Sequence, residues 1–248
     1  MRIILTRQPA QDGRIEAGLQ QLGHRIGFLP LTDFQLPEHP GALDNLVAGL
    51  HAGTWDRLLL TSPNTIRALV ARGWKPAATE QHTTIAVTGP GTARVLHEFG
   101  AVQTPWMPAH DASAAGILEQ FPAGPGTLAL PQGAAAGDAM RAGLVRRGWE
   151  VTHVPAYHTV DYPARSDLAL LPTQSGILTP TSLNTHDVVV LTAPSAARRW
   201  ATIGVAVHAV VAIGQPTRHA AYETGITLAA TAASPDAAGI AAVVNTLE

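Results

Sequence analysis

Asp187-Val188-Val189-Val190-Leu191-Thr192-Ala193-Pro194-Ser195 is an unbroken apolar run closed by a small turn and a proline. It is the second appearance of a pattern already present as Asp56-Arg57-Leu58-Leu59-Leu60-Thr61-Ser62-Pro63-Asn64. Neither run alternates apolar with polar residues, as a strand with one wet face would, so each reads as a strand buried on both sides. The proline that follows suits the first position of a helix, where its missing N–H leaves nothing unsatisfied. Strand, turn, helix is the unit of this chain, and it occurs in both halves.

Outward from these two runs the duplication continues. Ile85-Ala86-Val87-Thr88-Gly89-Pro90-Gly91-Thr92 returns as Val210-Val211-Ala212-Ile213-Gly214-Gln215-Pro216-Thr217, and Ala114-Ala115-Gly116-Ile117 returns verbatim as Ala237-Ala238-Gly239-Ile240. Leu19, Gly23 and Pro30 punctuate a helix and the strand after it, as Leu144, Gly148 and Pro155 do later. Repeated βα units imply parallel strands, because parallel neighbours need a crossover and the crossover is normally a right-handed helix. The expected fold is α/β: two lobes, each a mostly parallel βα-repeat sheet with helices on both faces. The C-terminal helix is expected to start from a Ser234 cap before Pro235 and to show one stripe of Ile240, Val243, Val244 and Leu247. Two Pro-bounded segments, 28–37 and 154–163, do not fit a compact βα unit. Proline fixes φ and pushes its predecessor to extended geometry, so both read as connectors between the lobes.

Composition excludes several classes of function. The 248 residues carry 16 basic and 18 acidic side chains, a net charge of −2, and only 14% are charged. That is no footprint for nucleic acid. The apolar stretches fall short of the roughly 18 residues of a spanning helix. The opening Met1-Arg2-Ile3-Ile4-Leu5-Thr6-Arg7 has no secretory pattern, so a cytoplasmic protein is expected. The absence of cysteine removes disulfides, thiolate metal sites and thiol nucleophiles. The eleven histidines are scattered, and no metal site is expected.

Chemistry must then come from the turns. In open parallel sheets, ligands sit beyond the carboxyl ends of the strands, where helix N-terminal amides favour anions. Ser62-Pro63-Asn64 supplies a capping hydroxyl, a proline and a second polar side chain, while Gly89 and Gly214 allow close approach of backbone, with Thr92 and Thr217 nearby. A Ser-Pro turn also serves merely to start a helix, but the duplication suggests a cleft for a ligand with acidic groups at both ends. No G-x-S-x-G, P-loop or H-E-x-x-H motif occurs, and Gly89-Pro90-Gly91-Thr92-Ala93-Arg94 ends in arginine where a dinucleotide fingerprint needs a small residue. Tyr157, one of three tyrosines, lies on a connector. Its ring can simply pack; facing a cleft, its phenol can protonate a leaving hydroxyl.

In their order along the chain, these segments resemble the uroporphyrinogen-III synthase family: Ile4-Leu5-Thr6-Arg7-Gln8-Pro9, Leu29-Pro30-Leu31, Leu60 to Asn64, Val87 to Thr92, Leu130-Pro131-Gln132-Gly133, Val154 to Thr159, Leu191 to Ser195, Ile213 to Thr217 and Ala233-Ser234-Pro235. The resemblance implies that residues 1–31 join 164–248 as one lobe, that 41–153 form the other, and that 32–40 and 154–163 make a two-stranded hinge. It implies an enzyme, a cyclising hydro-lyase of tetrapyrrole biosynthesis. Such an enzyme takes hydroxymethylbilane, loses its hydroxyl as water through an azafulvene, and closes the ring with inversion of the last pyrrole through a spiro intermediate, without cofactor or metal. Tyr157 takes the role of general acid. Substrate contacts are implied for Arg7, Ser62, Asn64, Thr88, Gly89, Thr92, Gln132, Gly133, Thr192, Ala193, Ser195, Gly214 and Thr217. A monomer that receives substrate transiently from hydroxymethylbilane synthase is expected. Three positions depart from the family pattern: Ala193 where serine is frequent, Gln132 where arginine is common, and Gln215-Pro216 where Pro-Thr is usual. The alternative they leave open is a non-catalytic relative that binds an acidic tetrapyrrole-like ligand.

Overall fold

The fold was read from a computed structural model, which describes residues 1–9 and 13–247. The chain divides into two compact units: Met1–Asp33 with Val160–Ala164 and Leu171–Glu248, and Phe34–Thr159 with Arg165–Leu170. In chain order the elements are β1 (Arg2–Leu5), α1 (Arg14–Gln21), β2 (Arg25–Phe28), β3 (Thr32–Gln35), α2 (Gly41–His51), β4 (Arg57–Leu60), α3 (Pro63–Ala71), α4 (Pro76–Thr79), β5 (Thr84–Val87), α5 (Pro90–Glu98) and α6 (Ala114–Gln120). There follow β6 (Gly126–Gly133), α7 (Ala139–Arg146), β7 (Trp149–Asp161), β8 (Asp187–Leu191), α8 (Pro194–Trp200), β9 (Ala209–Ala212), α9 (Gln215–Glu223), β10 (Ala230–Thr231) and α10 (Ala237–Val244).

The first unit's sheet has the order β10-β9-β8-β1-β2, and every neighbouring pair in it is parallel. The strand read from Val188 to Leu191 lies at its centre and is buried at every position. Alternate residues go to opposite faces, as the strand period of two requires. Ile4, Val189 and Leu191 meet α8 and α9 through Ala197, Trp200 and Ala220, while Ile3, Leu5, Val188 and Val190 meet α1 and α10 through Leu19, Ile240 and Val244. Each fully buried aliphatic chain contributes about 2 kcal/mol of apolar burial, and it is this two-sided burial that fixes the register.

The second unit's sheet has the order β3-β7-β6-β4-β5, with β4, β5, β6 and β7 joined in parallel. Leu58, Leu60, Ile85 and Val87 face α2, α3 and α5 through Leu46, Leu50, Ile66 and Leu96. Leu59, Leu128 and Leu130 face α6 and α7 through Ile117, Phe121 and Leu144. Both sheets therefore carry helices on both faces, as expected.

The sequence duplication is a topological one. β6-α7-β7 repeats β1-α1-β2, and β4-α3-β5-α5 repeats β8-α8-β9-α9. A parallel bridge of Trp106 beside β5 stands where β10 lies beside β9, and a bridge of Ile177 beside β2 stands where β3 lies beside β7. The two halves of the motif are strung in opposite chain order in the two units.

One expected cap is corrected. Asp236, not Ser234, caps α10: its carboxylate accepts from the Gly239 amide at 2.8 Å, and Ser234 donates its hydroxyl to that same carboxylate at 2.9 Å. A carboxylate three residues before the orphan amide outcompetes a hydroxyl placed before a proline. The expected stripe is present, with Ile240 and Val244 buried and Val243 and Leu247 packed at the margin. Among the described residues no helix is long and apolar enough to cross a membrane.

Candidate functional site

The site residues are placed by the carboxyl ends of the strands. In the second unit Ser62 is extended and its Oγ accepts from the Asn64 amide at 3.1 Å, with Pro63 in the first helical turn, so the Ser-Pro-Asn sequence does start α3. At the end of the neighbouring strand, Gln132 is buried and its Nε2 lies 3.4 Å from Thr61 Oγ1, while Gln132 Oε1 and Thr88 Oγ1 are buried without a partner. Thr61, Thr88 and Gln132 line one open cavity of about 310 Å³, bounded by Met140 and by small residues of α6, of α7 and of the turn before α7. It lies beyond β4 and β6, where consecutive connections leave in opposite directions, the position at which doubly wound sheets take ligands. Thr92 is buried in the first turn of α5.

Gly89 and Gly133, the candidate glycines of this unit, serve packing. Gly89 is extended, a conformation open to any residue, but a Cβ there would lie 2.8 Å from Ala112 Cβ. A Cβ on Gly133 would lie 2.9 Å from Tyr157 Cζ. Gly133 is the seat of the Tyr157 ring, which also meets Phe34 edge-on with centroids 5.8 Å apart. The ladder slips there: Gln132 pairs with Pro155 but Gly133 with Tyr157, which re-aims the side chain. The Tyr157 ring is packed, and its hydroxyl makes no hydrogen bond to a described residue.

In the first unit the equivalent turns are built differently. The Thr192 amide donates to Thr6 Oγ1 at 3.0 Å, and Thr6 Oγ1 donates to the Val190 carbonyl, so Thr6 knits β1 to the end of β8. Ala193 caps α8 in an extended conformation with no side-chain bond, and Ser195 Oγ lies 3.4 Å from Thr32 Oγ1. Arg7 is engaged internally, donating to Glu16 Oε2 at 2.6 Å and to the Gln8 carbonyl. Gly214 is different again: it is extended, a Cβ there would meet nothing within 4 Å, and it lines a cavity of about 500 Å³ with Pro194, Gln215, Thr217 and Thr231. Neither backbone conformation nor packing asks for glycine at 214, and the open space left above it lies at the start of α9.

Acids stand at some helix starts and not at others; α4 and α6, which begin outside the duplicated turns, have none in the first turn. α1 and α2 carry Glu16 and Asp44 in their first turns, and α7 and α10 are preceded by Asp138 and Asp236. α3, α5, α8 and α9, which begin at the duplicated turns, have proline in the first two positions and no acid in the first turn. Their N-terminal partial charge, about half an elementary charge each, is left uncompensated. Sequence reasoning missed Arg67 in this neighbourhood; a basic residue one turn behind the Ser-Pro-Asn cap was its only signal.

These units make a class: a two-unit parallel α/β protein whose strand-end turns suit an anionic ligand held by amides and hydroxyls. Comparison with known proteins narrows it. The family model of uroporphyrinogen-III synthase HemD matches residues 13–242, and the chain belongs to the uroporphyrinogen-III synthase family. It is 30% identical over 236 residues to a chloroplastic uroporphyrinogen-III synthase of Oryza sativa subsp. japonica, a match that covers 90% of this chain and 73% of the rice protein. Two solved structures share the fold. Uroporphyrinogen-III synthetase from Helicobacter pylori matches with TM-score 0.62 and 15% identity over 100% of both chains; a mutant uroporphyrinogen III synthase from Thermus thermophilus matches with TM-score 0.59 and 16% identity over 99% of both.

Proposed function

We propose that this chain closes linear hydroxymethylbilane to uroporphyrinogen III, with loss of water and inversion of the last pyrrole ring. The observation that carries the reading, beside membership of the family, is the duplicated strand-end turn, present four times, from which a helix starts with proline and with no acid in its first turn. The substrate's acetate and propionate arms are anions, and helix-terminal amides and hydroxyls bind anions without a basic surface, which agrees with a net charge of −2. Ser62, Asn64, Thr88 and Gln132 in one unit, and Ala193, Gly214 and Thr217 in the other, are the proposed contacts. Arg7, tied to Glu16, and Gly133, beneath the tyrosine ring, act by holding their turns.

Tyr157 is the proposed general acid: its phenol gives a proton to the departing hydroxyl as the azafulvene forms. The unpartnered hydroxyl on a fixed ring supports the role, since it needs no internal bond to be broken first. The rest of the task is positional. The bilane closes unaided to the uninverted isomer, so the protein must hold the chain where attack at the substituted ring carbon wins. β3 and the long β7, which lie side by side where the chain passes between units, are the proposed hinge.

The test is a coupled assay in which hydroxymethylbilane is made in situ, the products are oxidised, and the uroporphyrin isomers are separated. An excess of isomer III that scales with protein is expected. Isomer I alone from folded protein would leave a binding relative as the answer.

A further inference from the structure

Resting on the reading above, we infer that Arg67 is a carboxylate-binding residue of the substrate site, holding one acidic arm of the tetrapyrrole beside the cap of α3. Three features of the second unit lead there. Arg67 stands one turn into α3, and a helical side chain leans back toward the N-terminus, so its guanidinium reaches the strand-end side of the sheet. It arrives at Asn64, donating from Nη1 to Oδ1 at 2.9 Å; Asn64 is the residue whose amide is held by Ser62. The guanidinium is thus fixed at the turn that carries two of the candidate contacts, Ser62 and Asn64.

The second feature is what it lacks. Among the described residues no carboxylate lies within ion-pair distance of Arg67, and Nε and Nη2 have no protein partner yet remain open to solvent. Arg72 and Arg141 of the same unit are paired with Asp44 and Asp138, and Arg94 with Glu98 at 2.9 Å. The third feature is desolvation. Burial between α3 and α5 holds the Arg67 guanidinium below the usual arginine range; Glu98 pulls it back up and Arg94 pushes it down further. A partly buried cation without a counterion is costly, and an incoming carboxylate relieves that cost with a charge-assisted, two-pronged bond. This supplies in α3 the positive charge that Gln132 does not supply at the end of β6.

The experiment compares wild type with Arg67→Gln, which keeps an amide donor for Asn64 Oδ1 but removes the charge, and with Arg67→Lys, which keeps the charge without the fork. Two measurements are made on each folded protein: KM and kcat for in situ bilane with the isomer ratio, and equilibrium binding of uroporphyrin III by fluorescence. For Arg67→Gln the expected result is a KM and a porphyrin Kd raised about tenfold to a hundredfold, with kcat little changed. At limiting protein the fraction of isomer III falls, and it recovers as protein is added. Arg67→Lys lies between. Unchanged porphyrin affinity in Arg67→Gln, including binding by neither protein, overturns the inference. So does a loss of kcat and thermal stability at constant KM, which marks a purely structural arginine. Failure of wild type to make isomer III would sink the synthase reading instead, while the porphyrin titration would still decide Arg67.

Discussion

At Tyr157 and Gly133 the proposed chemistry and the packing meet in one contact. Tyr157→Phe keeps the ring on Gly133 and against Phe34 and removes only the phenol, so turnover is expected to fall about a hundredfold with KM within a few-fold and melting temperature unchanged. Isomer analysis with steady-state kinetics checks it; wild-type kcat in the variant would remove tyrosine from the chemistry. Gly133→Ala is expected to do the reverse of a clean change. Its methyl would lie 2.9 Å from Cζ and force the ring aside, lowering stability by about 1–3 kcal/mol together with kcat. Urea denaturation beside the assay tests both halves. The place of Tyr157 on an extended strand was legible in the sequence because prolines bound the segment that carries it. Gly133 was legible only as a position of interest, since no local pattern says that a glycine two dozen residues away is the floor under a ring. Arg67 was not legible, because its significance lies in a counterion it does not have.

Among the elements, the four helices that start at duplicated turns are the proposed anion sites, where stability and binding would be set against each other. An acid in the first turn normally stabilises a helix, and these helices omit it. Gln215→Glu, at the exposed first position of α9, is therefore expected to raise stability by about 0.3–1 kcal/mol while weakening substrate binding severalfold. Thermal denaturation and KM measured on the same preparation decide it, and an unchanged KM would separate α9 from the anion. The strands and these helix starts were readable because unbroken apolar runs followed by proline have few other meanings. The α10 cap lies two residues beyond the expected serine, since Ser-Pro-Asp offers two capping side chains and only the bond to Gly239 chooses between them. Residues 162–186, with one 3₁₀ turn and isolated bridges at Ala169 and Ile177, carry no periodicity from which their course could have been derived.

At the scale of the whole molecule, the first unit is closed by a contact between distant parts of the chain. Arg2 on β1 grips Asp187 on β8 with both ends of its guanidinium at 2.7 Å, and the Asn184 amide adds a third bond to a carboxylate that is 1% exposed. The bond from Arg2, ahead of the cost of burial, holds the Asp187 carboxyl below its ordinary range. A carboxyl depressed in the folded state contributes stability that is complete above its unfolded value of about 4 and is lost as pH falls through the lower folded value. Arg2→Met is expected to cost about 2 kcal/mol, less than a fully buried pair because Arg2 is partly open, and to move acid unfolding of this unit to higher pH. Calorimetry across the acid range, from roughly pH 3 to neutrality, tests it; coincident acid transitions would mean the pair is worth nothing.

The place of β1 between β8 and β2 has a consequence for how the protein is made. Phe34–Thr159 supplies β4 to β6 and most of β7 as one continuous stretch, so that sheet can assemble while the rest is still being translated. β1 leaves the ribosome well before β8, its partner 185 residues behind it. Until β8 emerges, β1 can pair only with β2, so Ile3, Ile4 and Leu5 belong to a strand with one open edge on a nascent chain, the kind of segment a chaperone would be expected to hold.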